Sequence, residues 1–224
     1  MELKVIKTGS VGNCYILKSD SGEILLLDCG VPVQSIKVAV DFQVSQIKGC
    51  IVSHVHSDHI SPKTAESLQL MGIPIWKAYE GDKKHTFFGG FKVISFDVEH
   101  DGTPNKGFVI NADGKILLYI TDAEYVKYSF KSMSPDAILI ECNYQADYVD
   151  MELEHIAHIF RGHMELQTCI DFLRANQTDD LKNVILCHLS RNHADVDECR
   201  EAVQNALGNK VTVNVAEKGK TFYV

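Results

Sequence analysis

Short runs in which apolar and polar positions alternate are interleaved along the chain with stretches in which apolar residues recur every three or four positions. The first pattern reads as half-buried strands, the second as helices packed by one face. "ELKVIKT" from Glu2, "NCYILK" from Asn13 and "EILLLD" from Glu23 are strands, separated by the turn-forming "GSVGN" and "SDSG". Pro32 opens "PVQSIKVAVDF" as a helix with proline in its first turn. "GCIVS" is a buried strand, and Ser61 then caps a helix, "PKTAESLQLMG", that Gly72 stops. Further strands are "IPIWKA", "HTFFGGFKVISFDV" as one run, "GFVINA", "KILLYIT" and "AILIEC". Beyond Asp147 the pattern is helical to about Asn176, with a break between two helical patterns at the glycine before His163. "NVILCHL" is a strand, "DVDECREAVQNALG" a helix closed by Gly208, and "KVTVNVAEKG" and "KTFYV" finish as strands. Two strand-rich halves, each followed by helices, predict one α/β (α+β) domain over residues 1–224, a four-layer sandwich with its helices outside.

One turn breaks the pattern. "SHVHSDHIS", from Ser53 to Ser61, crowds three histidines and an aspartate behind an apolar strand. His54 and His56, two apart at the strand's end, can point the same way, while Asp58 and His59 can face a second point nearby. Imidazole and carboxylate together suit zinc, iron or manganese, and two close metals need such a split donor set. A polar loop rich in histidine by chance is the alternative, and the spacing argues against it. Other donors must come from other strand ends. Three residues fit: His100 after "VISFDVE", Asp122 after "KILLYIT" and His188 within "VILCHLS".

In this order, H-x-H-x-D-H and then His, Asp and His at strand ends, the chain resembles the metallo-β-lactamase superfamily over essentially its whole length. The resemblance implies an αββα sandwich with two divalent metal ions at one edge, zinc foremost, manganese or iron otherwise. His54, His56 and His100 would hold the first ion, Asp58, His59 and His188 the second, and Asp122 would bridge both. The chemistry agrees: a carboxylate can bind two cations at once, and a hydroxide between metals about 3.5–4 Å apart is a nucleophile at neutral pH. A narrower likeness is to YycJ/WalJ-type members, a bacterial and phage-borne branch associated with exonuclease activity. It rests on "TGSVGNCYIL", "EHDGTPNKGFVI", "IECNYQADYV", "RGHM" and "CHLSRNH". The chain departs from that branch at "GHMEL", where Ser and Asn commonly follow G-H-L, and at Cys187, which replaces a serine.

Asp58 and His163 are the residues expected to take part in the reaction. By the resemblance His163 faces substrate, as a phosphate donor or as the acid that protonates the leaving oxygen; otherwise it is a surface or cap histidine. Ser10 and Asn13 belong to a tight turn that either contacts substrate or only connects two strands. Asn143 orients a metal ligand, lines the cleft or forms a turn. Asp28 reads as a buried carboxylate supporting a ligand histidine. Arg161 and Arg191, beside motif residues, are the cations expected to meet an anionic substrate. His155 and His158, three apart on a predicted helix, lack a third donor and read as surface residues, as do His85 and His193.

Composition narrows the function less than the motifs do. The 224 residues are 45% hydrophobic and 23% charged, and "ILLLD" is too short to span a bilayer, so neither a leader nor a membrane segment is expected. Seven cysteines without a C-x-x-C pair predict reduced thiols and a cytoplasmic setting. The net charge of −8 argues against bulk electrostatic binding of nucleic acid, although metal ions and a local basic rim can still hold such a substrate. The expected activity is metal-dependent hydrolysis by a bridging hydroxide, with a phosphodiesterase or exonuclease-like nuclease acting on DNA first. A glyoxalase II-like or lactonase-like hydrolase of a small thioester or ester is the alternative, or a hydrolase of a small cyclic phosphodiester. A metal-binding regulatory protein is disfavoured by the full donor set. No membrane partner is expected, and the oligomeric state is open.

Overall fold

The alternating runs at the start of the chain pair as an antiparallel meander of β1 (Glu2–Lys7), β2 (Cys14–Lys18) and β3 (Ile24–Leu27). Crossovers through α1 (Val33–Ala39) and α2 (Pro62–Leu70) then lay β4 (Ile47–Val52) and β5 (Ile75–Lys77) parallel to β3. A second meander runs through β6 (His85–Phe88), β7 (Phe91–Val98), β8 (Asn105–Ala112) and β9 (Lys115–Ile120). Next come β10 (Ala137–Glu141), β11 (Asn183–Cys187) and β12 (Thr212–Val215), all parallel to β9. Helices α3 (Ile156–Gly162) and α4 (Leu166–Asn176) precede β11, and α5 (Val196–Leu207) precedes β12. The last strand, β13 (Thr221–Tyr223), leaves this half and pairs antiparallel with β1. The computed structural model describes residues 1–150, 152 and 156–224.

Among them lie a six-stranded sheet, ordered β13-β1-β2-β3-β4-β5, and a seven-stranded one, ordered β12-β11-β10-β9-β8-β7-β6. Side chains alternate across each strand, so one face of each sheet supplies a shared core: Leu3, Leu17, Leu25 and Ile51 meet Phe91, Phe108, Leu117, Leu139 and Ile185. The opposite faces are covered too. Leu26, Cys50 and Val52 pack under Ile36 of α1 and Leu68 of α2, and Ile138, Ile140 and Leu186 pack under Leu173 of α4 and Val203 of α5. Burial on both sides explains why β3 and β10 read as unbroken apolar runs. The architecture is the four-layer αββα sandwich. No helix among the described residues is long and apolar enough to cross a membrane.

Two local readings change. "HTFFGGFKVISFDV" is a hairpin and not one strand: β6 and β7 turn at Gly89, which takes φ 56°. Helix α1 stops at Ala39, whose carbonyl accepts from Lys4 Nζ at 2.8 Å, and Asp41 and Phe42 then take left-handed φ angles of 51° and 60°. The helical stretch after Asp147 breaks after Gly162 into α3 and α4, as the sequence predicts, and Glu165 caps α4 by accepting from the backbone of Gln167 and Thr168. His155 lies outside the described residues.

Candidate metal centre

β3, β4, β9, β10 and β11 are parallel within their sheets, and β7 runs the same way as β9. Their carboxyl ends carry the polar residues: Asp28 after β3, Ser53 to His59 after β4, His100 after β7, Asp122 after β9, Glu141 closing β10, and His188 after β11. Asp28, Asp122 and His188 turn off their strands in left-handed backbone, with φ of 59°, 48° and 53°. Each such non-glycine conformation costs about 1–3 kcal/mol and needs support. Asn105 Nδ2 donates to the Asp122 carbonyl at 2.6 Å, and the His188 N–H donates to Thr8 Oγ1 at 3.0 Å. The histidine turn is pressed against Gly30, and Gly30 in turn against Gly12. A Cβ on Gly30 would stand 1.7 Å from the Asp58 carbonyl oxygen, and one on Gly12 2.6 Å from the Gly30 carbonyl oxygen.

Two donor groups result, each tight enough for one ion: His54, His56 and His100, and Asp58, His59, Asp122 and His188. In the first, His56 Nδ1 lies 3.0 Å from His54 Nε2 and 3.2 Å from His100 Nε2. In the second, His59 Nε2 lies 3.2 Å from Asp122 Oδ1 and 3.4 Å from Asp58 Oδ2. His188 Nε2 is 3.6 Å from Asp122 Oδ1 and 3.7 Å from Asp58 Oδ2. A third set, Asp122, Glu141, His163 and His188, overlaps the second.

The ring orientations are fixed from behind. His59 Nδ1 donates to Asp28 Oδ2 at 2.7 Å, His188 Nδ1 to Glu141 Oε1 at 3.0 Å, and His100 Nδ1 to the Gly162 carbonyl at 2.5 Å. Each bond leaves Nε2 facing the centre, as metal-binding imidazoles require. Ser53 Oγ lies 3.0 Å from Asp28 Oδ2, 3.1 Å from His54 Nδ1 and 3.2 Å from His59 Nδ1, and Tyr119 donates to Asp28 Oδ2 at 2.6 Å.

Burial, with His59 adding to it, pushes His54 down to about 2, so its ring is neutral. Burial also lowers His100. For His188 burial is outweighed by Asp122, Asp58 and Glu141, which lift it to about 10. His59 is likewise raised against burial by Asp122 and Asp28. Burial disfavours the Asp58 carboxylate, yet the neighbouring His188 and His59 rings hold it ionised, well below its usual range. These carboxylates demand positive charge between them. A divalent cation suits that demand: the buried His188 Nε2 has no hydrogen-bond partner, and the Nε2 atoms of His54 and His100 converge on His56 Nδ1. The donor set fits zinc, manganese or iron.

A cavity of about 160 Å³ opens onto the cluster, lined by Ser10, His56, Asp58, His100, Asp122, His158, His163 and His188. Asn13 is fully buried, with Nδ2 2.8 Å from His59 Nε2 and 3.3 Å from Asp58 Oδ2. Asn143 Nδ2 donates to the His188 carbonyl at 2.7 Å. Both asparagines thus sit against donors, while Arg161 and Arg191 are exposed and do not line the cavity. Glu141, Ser53 and Tyr119 were not singled out in the sequence. Only Glu141 left a signal there, an acid ending the apolar run "AILIE".

A sequence model of the metallo-beta-lactamase superfamily matches residues 8–61. The chain is 24% identical to the exodeoxyribonuclease YycJ of Bacillus anthracis, over 94% of this chain and 90% of that one. Its fold is similar to that of YhfI, a metallo-β-lactamase fold protein from Bacillus subtilis (TM-score 0.76, 19% identity, 99% of this chain and 98% of that one). The short form of human tRNase Z is similar over 100% and 99% of the two chains, at a TM-score of 0.66 and 15% identity. In its matched segment, its fold and its donor cluster, the chain is similar to the hydrolases of the metallo-β-lactamase superfamily.

Proposed function

We propose that the protein is a binuclear metal-dependent phosphodiesterase of nucleic acid that degrades DNA from an end. One observation carries the two-metal reading. Asp122 turns Oδ2 toward His54 Nε2, 3.9 Å away, and Oδ1 toward His59 and His188. In this reading His54, His56 and His100 hold one ion, Asp58, His59 and His188 the other, and Asp122 both. Bound there, divalent ions would acidify water and neutralise charge on a phosphoryl oxygen.

The remaining tasks fall to the chain's own groups. His163 lines the cavity with Nδ1 bonded to Glu141 Oε1 at 2.8 Å, so its other nitrogen is the one left to meet substrate. Burial opposes a proton on His163, but the Glu141 carboxylate outweighs it and raises the ring above the ordinary range. The carboxylate thus favours a proton on this ring, which in this reading passes to the departing oxygen, a contribution of about 10²–10⁴ in rate. Asp58, held ionised, and Ser10 at the cavity wall orient the reacting group. About 160 Å³ is well below the roughly 300–1,000 Å³ of a site that encloses a drug-sized ligand, so only the linkage enters and the strand stays outside. The exodeoxyribonuclease name of the YycJ relative supports the substrate class.

The test offers end-labelled single- and double-stranded DNA, RNA and a thioester to zinc- and manganese-loaded protein. Stepwise loss of DNA from one end, abolished by His56→Ala, is expected. Rapid thioester hydrolysis with every nucleic acid intact overturns the reading. Elemental analysis should find about two metal equivalents per chain and fewer in Asp122→Ala. Full occupancy and activity in that variant would remove the bridging role.

A further inference from the structure

Two of the side chains lining the cavity, Ser10 and His158, belong to none of the donor groups. His158 is held with care all the same. Its Nδ1 donates to Asp101 Oδ2 at 2.9 Å, and Oδ1 of the same carboxylate lies 3.3 Å from Arg161 Nε. Asp101 takes a left-handed φ of 41° and donates its own N–H to the Arg161 carbonyl at 2.8 Å. The adjacent His100 bonds Gly162. The loop between β7 and β8 is thereby fastened to the last turn of α3, and one carboxylate aims two nitrogen-rich side chains along the rim.

We propose that His158 and Arg161, both gripped by Asp101, form a subsite for the phosphate next to the one being cut, with Asp101 as the positioning residue. The proposal rests on the nucleic-acid reading above. The His158 ring lies 5.8 Å from His163 and 6.3 Å from His100, a step that one nucleotide of an extended strand can span. Arg161 is 64% exposed, so its fork of N–H donors stands in solvent beside the mouth, where a strand too large for the cavity must pass. Phosphates dominate nucleic-acid affinity, and a chain of net charge −8 has to place its few contacts close to the cut. The subsite separates an oligonucleotide, which carries a second phosphate, from a small aryl diester, which does not.

The experiment compares an oligodeoxynucleotide with bis(4-nitrophenyl) phosphate on the metal-loaded full chain, together with metal content. Binding of a labelled phosphorothioate oligonucleotide is followed by anisotropy. His158→Ala is expected to raise KM and Kd for the oligonucleotide about 10- to 100-fold, the worth of a hydrogen bond to a charged group, with kcat changed little. The loss on the aryl diester is expected to be far smaller. His158→Gln, whose amide nitrogen falls near the place of Nε2, should recover much of the affinity, and His158→Asn, which mimics Nδ1, should not. Asp101→Gly keeps the left-handed backbone, removes the carboxylate, and should resemble His158→Ala. Equal losses on both substrates, lost metal, or an unchanged oligonucleotide KM overturns the subsite. A wild-type protein that hydrolyses the aryl diester or a thioester but leaves oligonucleotides intact fails earlier, at the substrate class, and the subsite falls with it.

Discussion

His54 and His188 illustrate how neighbours separate two rings of the same type. In the metal-free protein they lie at about 2 and about 10, on either side of the roughly 6.5 of a free imidazole. Unfolding returns both to that value. Below it, the unfolded chain takes up a proton that folded His54 refuses, so acid destabilises. Above it, the unfolded chain releases a proton that folded His188 keeps until about 10, so alkali destabilises as well. The melting temperature of metal-free protein should therefore peak near pH 6–7 and fall on both sides. Differential scanning calorimetry across that range is the check, and His188→Gln should flatten the alkaline side. At this scale the sequence was legible where a residue broke its surroundings, as in the histidine turn. Ser53 and Tyr119 were hidden because a hydroxyl at a strand end or an aromatic in a buried strand is ordinary.

The elements were read best where their pattern is local. The crossover helices, the uniformly apolar strands and the polar strand ends all follow from spacing within a few residues. The hairpin between β6 and β7 escapes the pattern because apolar residues end one run at Phe88 and open the next at Phe91, although paired glycines between such runs are a turn signal. The pairing of β13 with β1 left no trace at all, since its partner lies at the other end of the chain. A prediction belongs here. Gly30→Ala drives a methyl into the Asp58 backbone, an overlap with atoms that cannot rotate away. We expect a loss of about 2–3 kcal/mol in urea unfolding and a drop in metal content, because Asp58 and His59 shift together. Normal stability and normal metal content would show that the two turns do not need this closeness.

Across the whole molecule, the donors come from both sheets. His54, His56, Asp58 and His59 follow β4 of one, while His100, Asp122 and His188 follow strands of the other. Ions held there would tie the layers together at one edge, beyond the apolar contacts between them. At metal near 100-fold over its dissociation constant the gain is about 2.7 kcal/mol, and chelation should lower the melting temperature by about 5–10 °C. A chelator without effect on melting, under conditions where it strips the metal, would mean that the layers do not depend on the ions.

The return of β13 to β1 bears on how the protein is made. While the chain is being synthesised, Glu2 to Lys4 wait with one edge unpaired until Thr221 to Tyr223 have left the ribosome. An exposed edge strand invites pairing with another chain. Stalled or prematurely terminated products that lack β13 are the species expected to aggregate, because only that strand covers the free edge of the first one.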